Sequence, residues 1–576
     1  MFDDVTLKKI LTDAKLLPVT EIRKAAREAK VKKTPLETHI LKQRLLPEDL
    51  LYKEAARVLQ VPFTELTDRI IRNDVLFIVP ETIAATHRII PFDQSGKEVS
   101  LATTELDDLQ TFEFIRRKTG LEPKIFLTTP AAIEEVLKQY HRNLKAEFEE
   151  IAQPKEEMPP EEEQKRLKKL AQDLPVIRIV DSLLDHAIYE GASDIHIEPT
   201  EQDLTIRFRI DGVLRKLMTL PKIVEPGVIA RIKVLSNLKL DEHRLPQDGR
   251  FKIATTEYRY SIRVSVFPVF DGEKAVLRLL SETSAALTLE QLGVQPQPLE
   301  IVRRNIKRPH GISLVTGPTG SGKTTTLYSI MNILNAPGVN IATVEDPIEY
   351  RIPGVNQSQV NPRIGFSFAT GLRSLLRQDP NIIMVGEIRD AETADIAINA
   401  AMTGHLVLST LHTNDAATAL PRLLDMGVPA FLVAFTANMI IAQRLVRKIC
   451  RNCVTSYRLT AADQNELKTL FTMDSIVATL RREGVIGKTQ TLPDLTFWKG
   501  VGCRQCGQEG YKGRIGIYEV LEVTPEMSTL INERATVDAI KKKTVENGMI
   551  TLVEDGFMKA KQGITTIAEV IRVTRE

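Results

Sequence analysis

Cysteine is scarce in this sequence. Four residues in 576 are cysteine, grouped as the close pairs Cys450, Cys453 and Cys503, Cys506. That grouping suits a reducing compartment and a metal better than a disulfide framework. An excess of either charge is missing too: 77 Lys and Arg face 75 Asp and Glu, a formal net charge of +2. No basic surplus is left for gripping a nucleic-acid backbone, so nucleic acid is not the expected partner. Long apolar runs are absent as well. The most apolar stretch, 428–442, is shorter than the roughly 20 residues needed to cross a bilayer. It carries Thr436 and Asn438, and the expectation is a buried helix. The opening MFDDVTLKKILTDAKLL has acids near its start and lacks the apolar core and small-residue cleavage site of a signal peptide. No export is expected, and the cytoplasm is the expected location.

What is present is an ordinary globular composition, 43% hydrophobic and 26% charged. The length predicts about three or four domains. Residues 1–142 mix amphipathic helical patterns such as PEDLLYKEAARVLQ with strand-like runs such as RIIPF and VSLAT, a small α+β domain. Residues 143–173, rich in Glu, Lys and Gln around Pro154, Pro159 and Pro160, read as a charged, partly helical linker. A second α+β domain follows over 174–285. In its strand LTIRFRIDG, Leu204, Ile206, Phe208 and Ile210 share one face, and Thr205, Arg207, Arg209 and Asp211 the other. YRYSIRVSV repeats the device, with Arg259, Ser261, Arg263 and Ser265 opposite Tyr260, Ile262, Val264 and Val266, so this sheet is expected to have a basic face. From 286 to 576 the apolar runs ISLVT, NIATV, IIMV and LVLST alternate with helical segments, which predicts a parallel α/β sheet. The cysteines mark a module within it at about 445–520.

GPTGSGKT, residues 317–324, follows the strand ISLVT and precedes the helix TTTLYSIMNIL, the context in which a phosphate loop works. Gly317, Pro318, Thr319, Gly320, Ser321 and Gly322 would wrap main-chain N–H groups around phosphate, with Lys323 reaching the β and γ phosphates. Thr324 would hold Mg²⁺, and Thr325 follows at the helix start. The alternative is a chance glycine-rich turn. Two neighbouring strands end in acids, at Glu345–Asp346 and at Glu387, and ligands of open parallel sheets lie beyond the strands' carboxyl ends. Phosphoryl transfer needs one acid at the Mg²⁺ shell and another orienting the attacking water. Glu345 is assigned to the water and Glu387 to the metal side; the reverse remains open, and Asp346 fits a helix cap or solvated turn equally well. His405 and His412 flank the strand LVLST, either as structural residues or as sensors of the γ phosphate. No Asn-Lys-x-Asp motif is present, which favours ATP over GTP. Cys450, Cys453, Cys503 and Cys506 could supply four thiolates to a structural Zn²⁺. Residues 454–502 must then loop out, and four reduced core cysteines are the alternative.

Together, GPTGSGKT, TVEDPIEY, QVNPRIGFSFATGLRSLLRQDPN, VGEIRD and TGHLVLSTLHTN resemble the secretion ATPases of type II secretion and type IV pili. SDIHIEP, RLPQDGR and RVSV resemble that family's second N-terminal domain, which implies a PAS-like fold there, and the cysteines with GYKGRIGIYEVL its C-terminal metal module. The resemblance implies a RecA-like ATPase domain in a homohexamer that works with an inner-membrane platform protein, so the chain would be peripheral to the membrane through partners. It also implies that Arg263 and Arg278 reach the γ phosphate, where the residues alone equally describe a plain basic strand face. The long N-terminal region inclines the resemblance to pilus assembly over type II secretion. The Arg-Leu-Gly that opens the family's cyclic-di-GMP-binding module is missing, which speaks against that ligand. Asn381 replaces an acid usual after Asp379-Pro380, a change expected to be tolerated because Glu387 remains.

Overall fold

The computed structural model describes residues 2–575 apart from 3, 32–33, 44, 68, 138, 141–166, 255–258, 283–286 and 504–505. Two units divide it, Met1–Thr283 and Ser284–Glu576. Most of the charged stretch at 143–173, and the domain boundary expected at 285–286, lie outside the described residues. Leu167 and Ala171, just beyond, are buried against Ala230 and Leu240.

In the first unit, the helices Asp4–Asp13, Val19–Val31, Leu36–Lys42 and Glu48–Leu59 close on a core that includes Leu7, Ile10, Leu36, Ile40 and Leu51. Tyr52 satisfies its buried hydroxyl by donating to Glu37 at 2.6 Å. A second core lies against the three strands Ile89–Ser95, Glu98–Thr103 and Glu122–Leu127. The helix Leu109–Thr119 makes the crossover, capped by Asp108 and stopped by left-handed Gly120. The region expected as one α+β domain thus holds two cores, a helical one followed by a mixed one.

Beyond it stands a six-stranded antiparallel sheet, in spatial order Val213–Pro221, Asp203–Ile210, Asp194–Pro199, Gly272–Ser281, Arg259–Val269 and Gln247–Ala254. Its apolar face packs on the helices Leu174–Tyr189 and Glu225–Leu235. Phe208, Ile262 and Val264 are buried there, as the alternation predicts. The opposite face carries the arginines.

The second unit is built on a seven-stranded sheet, in the order Val355–Gln359, Ile341–Glu345, Ile382–Val385, Leu406–Leu411, Gly311–Thr316, Ala437–Ile449 and Tyr511–Glu522. All neighbours are parallel except the last pair. Helices cover both faces, so the central strands are apolar throughout their length. The stretch 428–442 is not one buried helix. Helix Ala430–Thr436 ends there, and from Ala437 the chain becomes a strand paired on both sides. A continuous apolar run has no period to distinguish a helix from a strand buried on both faces.

Residues 454–502 form the expected insertion between the two cysteine pairs, and it is folded. A hairpin of Val454–Arg458 with Thr496–Gly500 encloses the helices Ala461–Leu470 and Met473–Arg482. Leu480, Leu495 and Phe497 share a core with Phe557 and Val570 of the C-terminal helices. The fully buried Glu519, on the last strand of the sheet, accepts from the N–H of Ala416 at 3.0 Å and of Leu552 at 3.3 Å. It thereby serves the starts of the helices Ala416–Asp425 and Leu552–Lys561 at once. Among the described residues, no helix is long and apolar enough to cross a membrane.

Candidate active site and cysteine cluster

Strand Gly311–Thr316 delivers the loop at 317–322 directly into helix Lys323–Leu334. Gly317 (φ +146°) and Gly322 (φ +89°) adopt conformations that favour glycine, and a Cβ on Gly317 would come within 2.5 Å of the Gln443 carbonyl. Pro318, Thr319 and Gly320 are exposed at the loop's crest, Ser321 is buried, and Thr324 and Thr325 are half-buried in the first helical turn. The Lys323 ammonium donates to the Gly317 and Pro318 carbonyls at 2.8 and 3.2 Å. Burial pushes its pKa down, a shift the nearby Glu387 charge opposes. Beneath the loop, Thr316 Oγ1 donates to the Leu411 carbonyl and accepts from the Thr413 N–H at 2.9 Å, locking it to the strand that leads to His412.

Glu387, Arg389 and His412 gather beside this loop. Arg389 bonds Glu387 through its guanidinium, and His412 Nε2 lies 3.2 Å from the other Glu387 oxygen. Arg389 also faces Asp346 at 3.9 Å. It is a site neighbour that the sequence reading missed, although it sits within VGEIRD. Glu345 occupies the end of its strand but is buried. One oxygen accepts from the Tyr328 hydroxyl, and the other from Thr343 Oγ1 at 2.7 Å and Gln357 Nε2 at 3.1 Å. Burial pushes this carboxyl above the ordinary range, although all three donors favour its charged form.

His405 is not part of this cluster. It precedes strand Leu406–Leu411 at the amino end, where its carbonyl accepts from Gly311 N and its Nδ1 lies 3.1 Å from the Ala400 carbonyl. At about 3.3 Å per residue, the strand separates it from His412 by on the order of 20 Å. The expectation that His405 contacts nucleotide is therefore corrected: parallel strands carry their two ends to opposite edges of the sheet. Asn381 lies at that same far edge and accepts from Asn340 N at 2.8 Å.

Arg263 and Arg278 belong to the first unit. Strand register sets Arg209, Asp194, Arg278, Arg263 and Arg250 side by side across five strands of its polar face. Buried Asp194 accepts from Arg278 Nε at 2.8 Å, and the Arg278 side chain is 56% exposed.

The four cysteine sulfurs all lie within 4.8 Å of one another. Three of the separations are 3.7 Å for Cys450–Cys503, 3.9 Å for Cys453–Cys506 and 3.6 Å for Cys503–Cys506. A tetrahedron with Zn–S bonds of about 2.3 Å has edges of about 3.8 Å, so the residues fit a zinc ion. Main-chain N–H groups of Cys503 and Gly510 each donate to Cys506 Sγ at 3.2 Å, and they help pull its thiol down to about 7 against the burial that would raise it.

A glycine-rich loop on a parallel sheet, with a lysine and acids at the strands' carboxyl ends, defines a P-loop ATPase of the RecA type. The profile of the family described as "Type II/IV secretion system protein" matches residues 169–572, and that of the MshEN domain matches 59–147. The chain belongs to the type II/IV secretion system protein family. It is 38% identical to the type IV pilus assembly ATPase PilB of Myxococcus xanthus over 98% of both chains. It is 43% identical to the type II secretion system ATPase E of Vibrio cholerae over 76% of this chain and 82% of the relative. Among solved structures, the Yersinia pseudotuberculosis ATPase DotB covers 69% of this chain and 93% of its own, at 22% identity and a TM-score of 0.50. That likeness concerns the fold alone.

Proposed function

We propose that this ATPase works as a homohexameric motor that powers type IV pilus assembly at the inner membrane through a platform protein. The observation that carries the reading is the convergence of Lys323, Glu387, Arg389 and His412 at one edge of the sheet. A match along nearly the whole chain to a pilus assembly ATPase supports it. In this reading the loop at 317–325 holds the ATP phosphates, Thr324 and Glu387 serve Mg²⁺, and Glu345 orients water. Arg263 and Arg278 of one subunit stabilise charge on the γ phosphate held by a neighbour. The cysteines hold a structural zinc. The expected site of action is the cytoplasmic face of the inner membrane.

Lys323→Ala should lose ATP turnover and, in the producing bacterium, surface pili. Retained turnover would overturn the site assignment. The 43% identity to a type II secretion ATPase motivates a second reading. Loss of exoprotein secretion with normal piliation in the same strain would select it.

A further inference from the structure

Strand Ala437–Ile449 does not stop where its parallel neighbour does. Thr316, the last residue of strand Gly311–Thr316, pairs with Ala442, so Gln443 is the first residue to run on beside the phosphate loop. Its side chain is buried, and both ends are used. Nε2 donates to the Ser321 carbonyl at 2.7 Å, and Oε1 accepts from Thr326 Oγ1 at 2.7 Å. A carbonyl can only accept, so the amide must turn its nitrogen to Ser321 and its oxygen to Thr326. One residue therefore ties the middle of the loop to the first turn of the helix that follows it.

A planar trans peptide points its C=O and the next N–H in opposite directions. Holding the Ser321 C=O against Gln443 thus turns the Gly322 N–H away from the strand, toward the side on which such a loop receives its anion. Gly322, at φ +89°, holds a conformation that favours glycine, and a Cβ there would come tight against Gln443 Nε2 at 3.2 Å.

We propose that Gln443 is a positioning residue of the phosphate loop, which fixes the 321–322 peptide with its N–H facing phosphate and thereby sets affinity for nucleoside polyphosphates. This rests on the loop being the ATP site. An oriented N–H that meets phosphate equally in the ground and transition states changes KM and leaves kcat nearly alone.

The test is steady-state kinetics, ADP titration and thermal melting of full-length Gln443→Leu. One directed hydrogen bond corresponds to a change of roughly tenfold. The expected result is a KM for ATP and a Kd for ADP raised about tenfold, kcat within about threefold of wild type, and a melting temperature lowered by only a few degrees for the polar groups left unpaired. Gln443→Glu, which sets a carboxylate against the Ser321 carbonyl, should raise KM further. A wild-type KM in folded Gln443→Leu overturns the proposal. A fall of kcat in step with the melting temperature also overturns it, because that describes a packing residue. If Gln443→Leu does not fold, Thr326→Val decides: it frees the glutamine oxygen and should raise KM about threefold, and an unchanged KM overturns the proposal. Lys323→Ala separates the two layers. If it still turns over, the ATP-site reading fails; if it is inactive while Gln443→Leu keeps a wild-type KM, the inference about Gln443 alone fails.

Discussion

Glu345 carries a conflict between burial and hydrogen bonding that can be read out in catalysis. Burial pushes its carboxyl up, while Tyr328, Thr343 and Gln357 donate to it and favour the charged form. In its proposed role toward the attacking water Glu345 works deprotonated, so turnover should fall as pH drops through a pKa above the ordinary carboxylate range. Tyr328→Phe removes one of the donors, raises that pKa further and should move the acid limb of the kcat profile to higher pH. Glu345→Gln should bind ATP and not turn it over, whereas lost ATP binding would move Glu345 to the metal shell and Glu387 to the water. Residue types and strand ends single out Lys323, Glu345, Glu387 and His412 as candidates in the sequence. What the chain order could not show is that His405, in the same motif as His412, lies on the other edge of the sheet. Nor could it show that Gln443, about 120 residues beyond the loop, lies against it.

At the scale of elements, the C-terminal helix Ile567–Arg575 is fastened to strand Ala437–Ile449 through Glu569. Arg447 Nη2 meets its carboxylate at 2.7 Å, the Arg447 N–H at 3.0 Å and Arg572 at 2.8 Å. Burial would raise this carboxyl, but the bonds from Arg572 and Arg447 outweigh it and hold it at about 2. With the folded pKa depressed, the stabilisation is fully present above the ordinary value of 4.5 and is lost as pH falls toward about 2. Its size is roughly 3 kcal/mol. Glu569→Gln should lower the melting temperature at pH 7 by roughly 5 to 10 °C. The gap to wild type should close below pH 4.5.

The cysteine cluster stands just past the same end of that strand, where Cys450 follows Ile449. Chelation, or Cys503→Ser, should release one zinc per chain and make the hairpin of Val454–Arg458 with Thr496–Gly500 more sensitive to protease. Short apolar runs bounded by turn residues and strands that alternate were both legible in advance: ISLVT, NIATV, IIMV and LVLST, and the alternating sheet of the first unit, appear where the pattern set them. Strand Val355–Gln359, with the polar sequence VNQSQ, offered no such pattern, because it lies at the sheet's edge and owes its conformation to pairing with Ile341–Glu345.

At the scale of the whole molecule, the proposed site is shared between subunits. Lys323→Ala and Arg278→Ala proteins should each be inactive alone. Mixed before assembly, they should regain part of the wild-type rate, because some neighbouring pairs then combine an intact loop with an intact arginine. Mixtures that stay inactive would refute arginine donation between subunits. ATPase activity per chain should also rise with protein concentration as rings form.

Glu519 sets a limit on how such a machine can move. Its two oxygens hold the starts of Ala416–Asp425, just past His412, and of Leu552–Lys561, near the chain's end. Sliding either helix away would strand a buried carboxylate, so in the proposed motor the two helices are expected to move together. The pivot of the proposed stroke is then expected outside this pair. Engineered crosslinks between these two helices should therefore leave the motor running, and they give a fixed frame against which its moving parts can be measured.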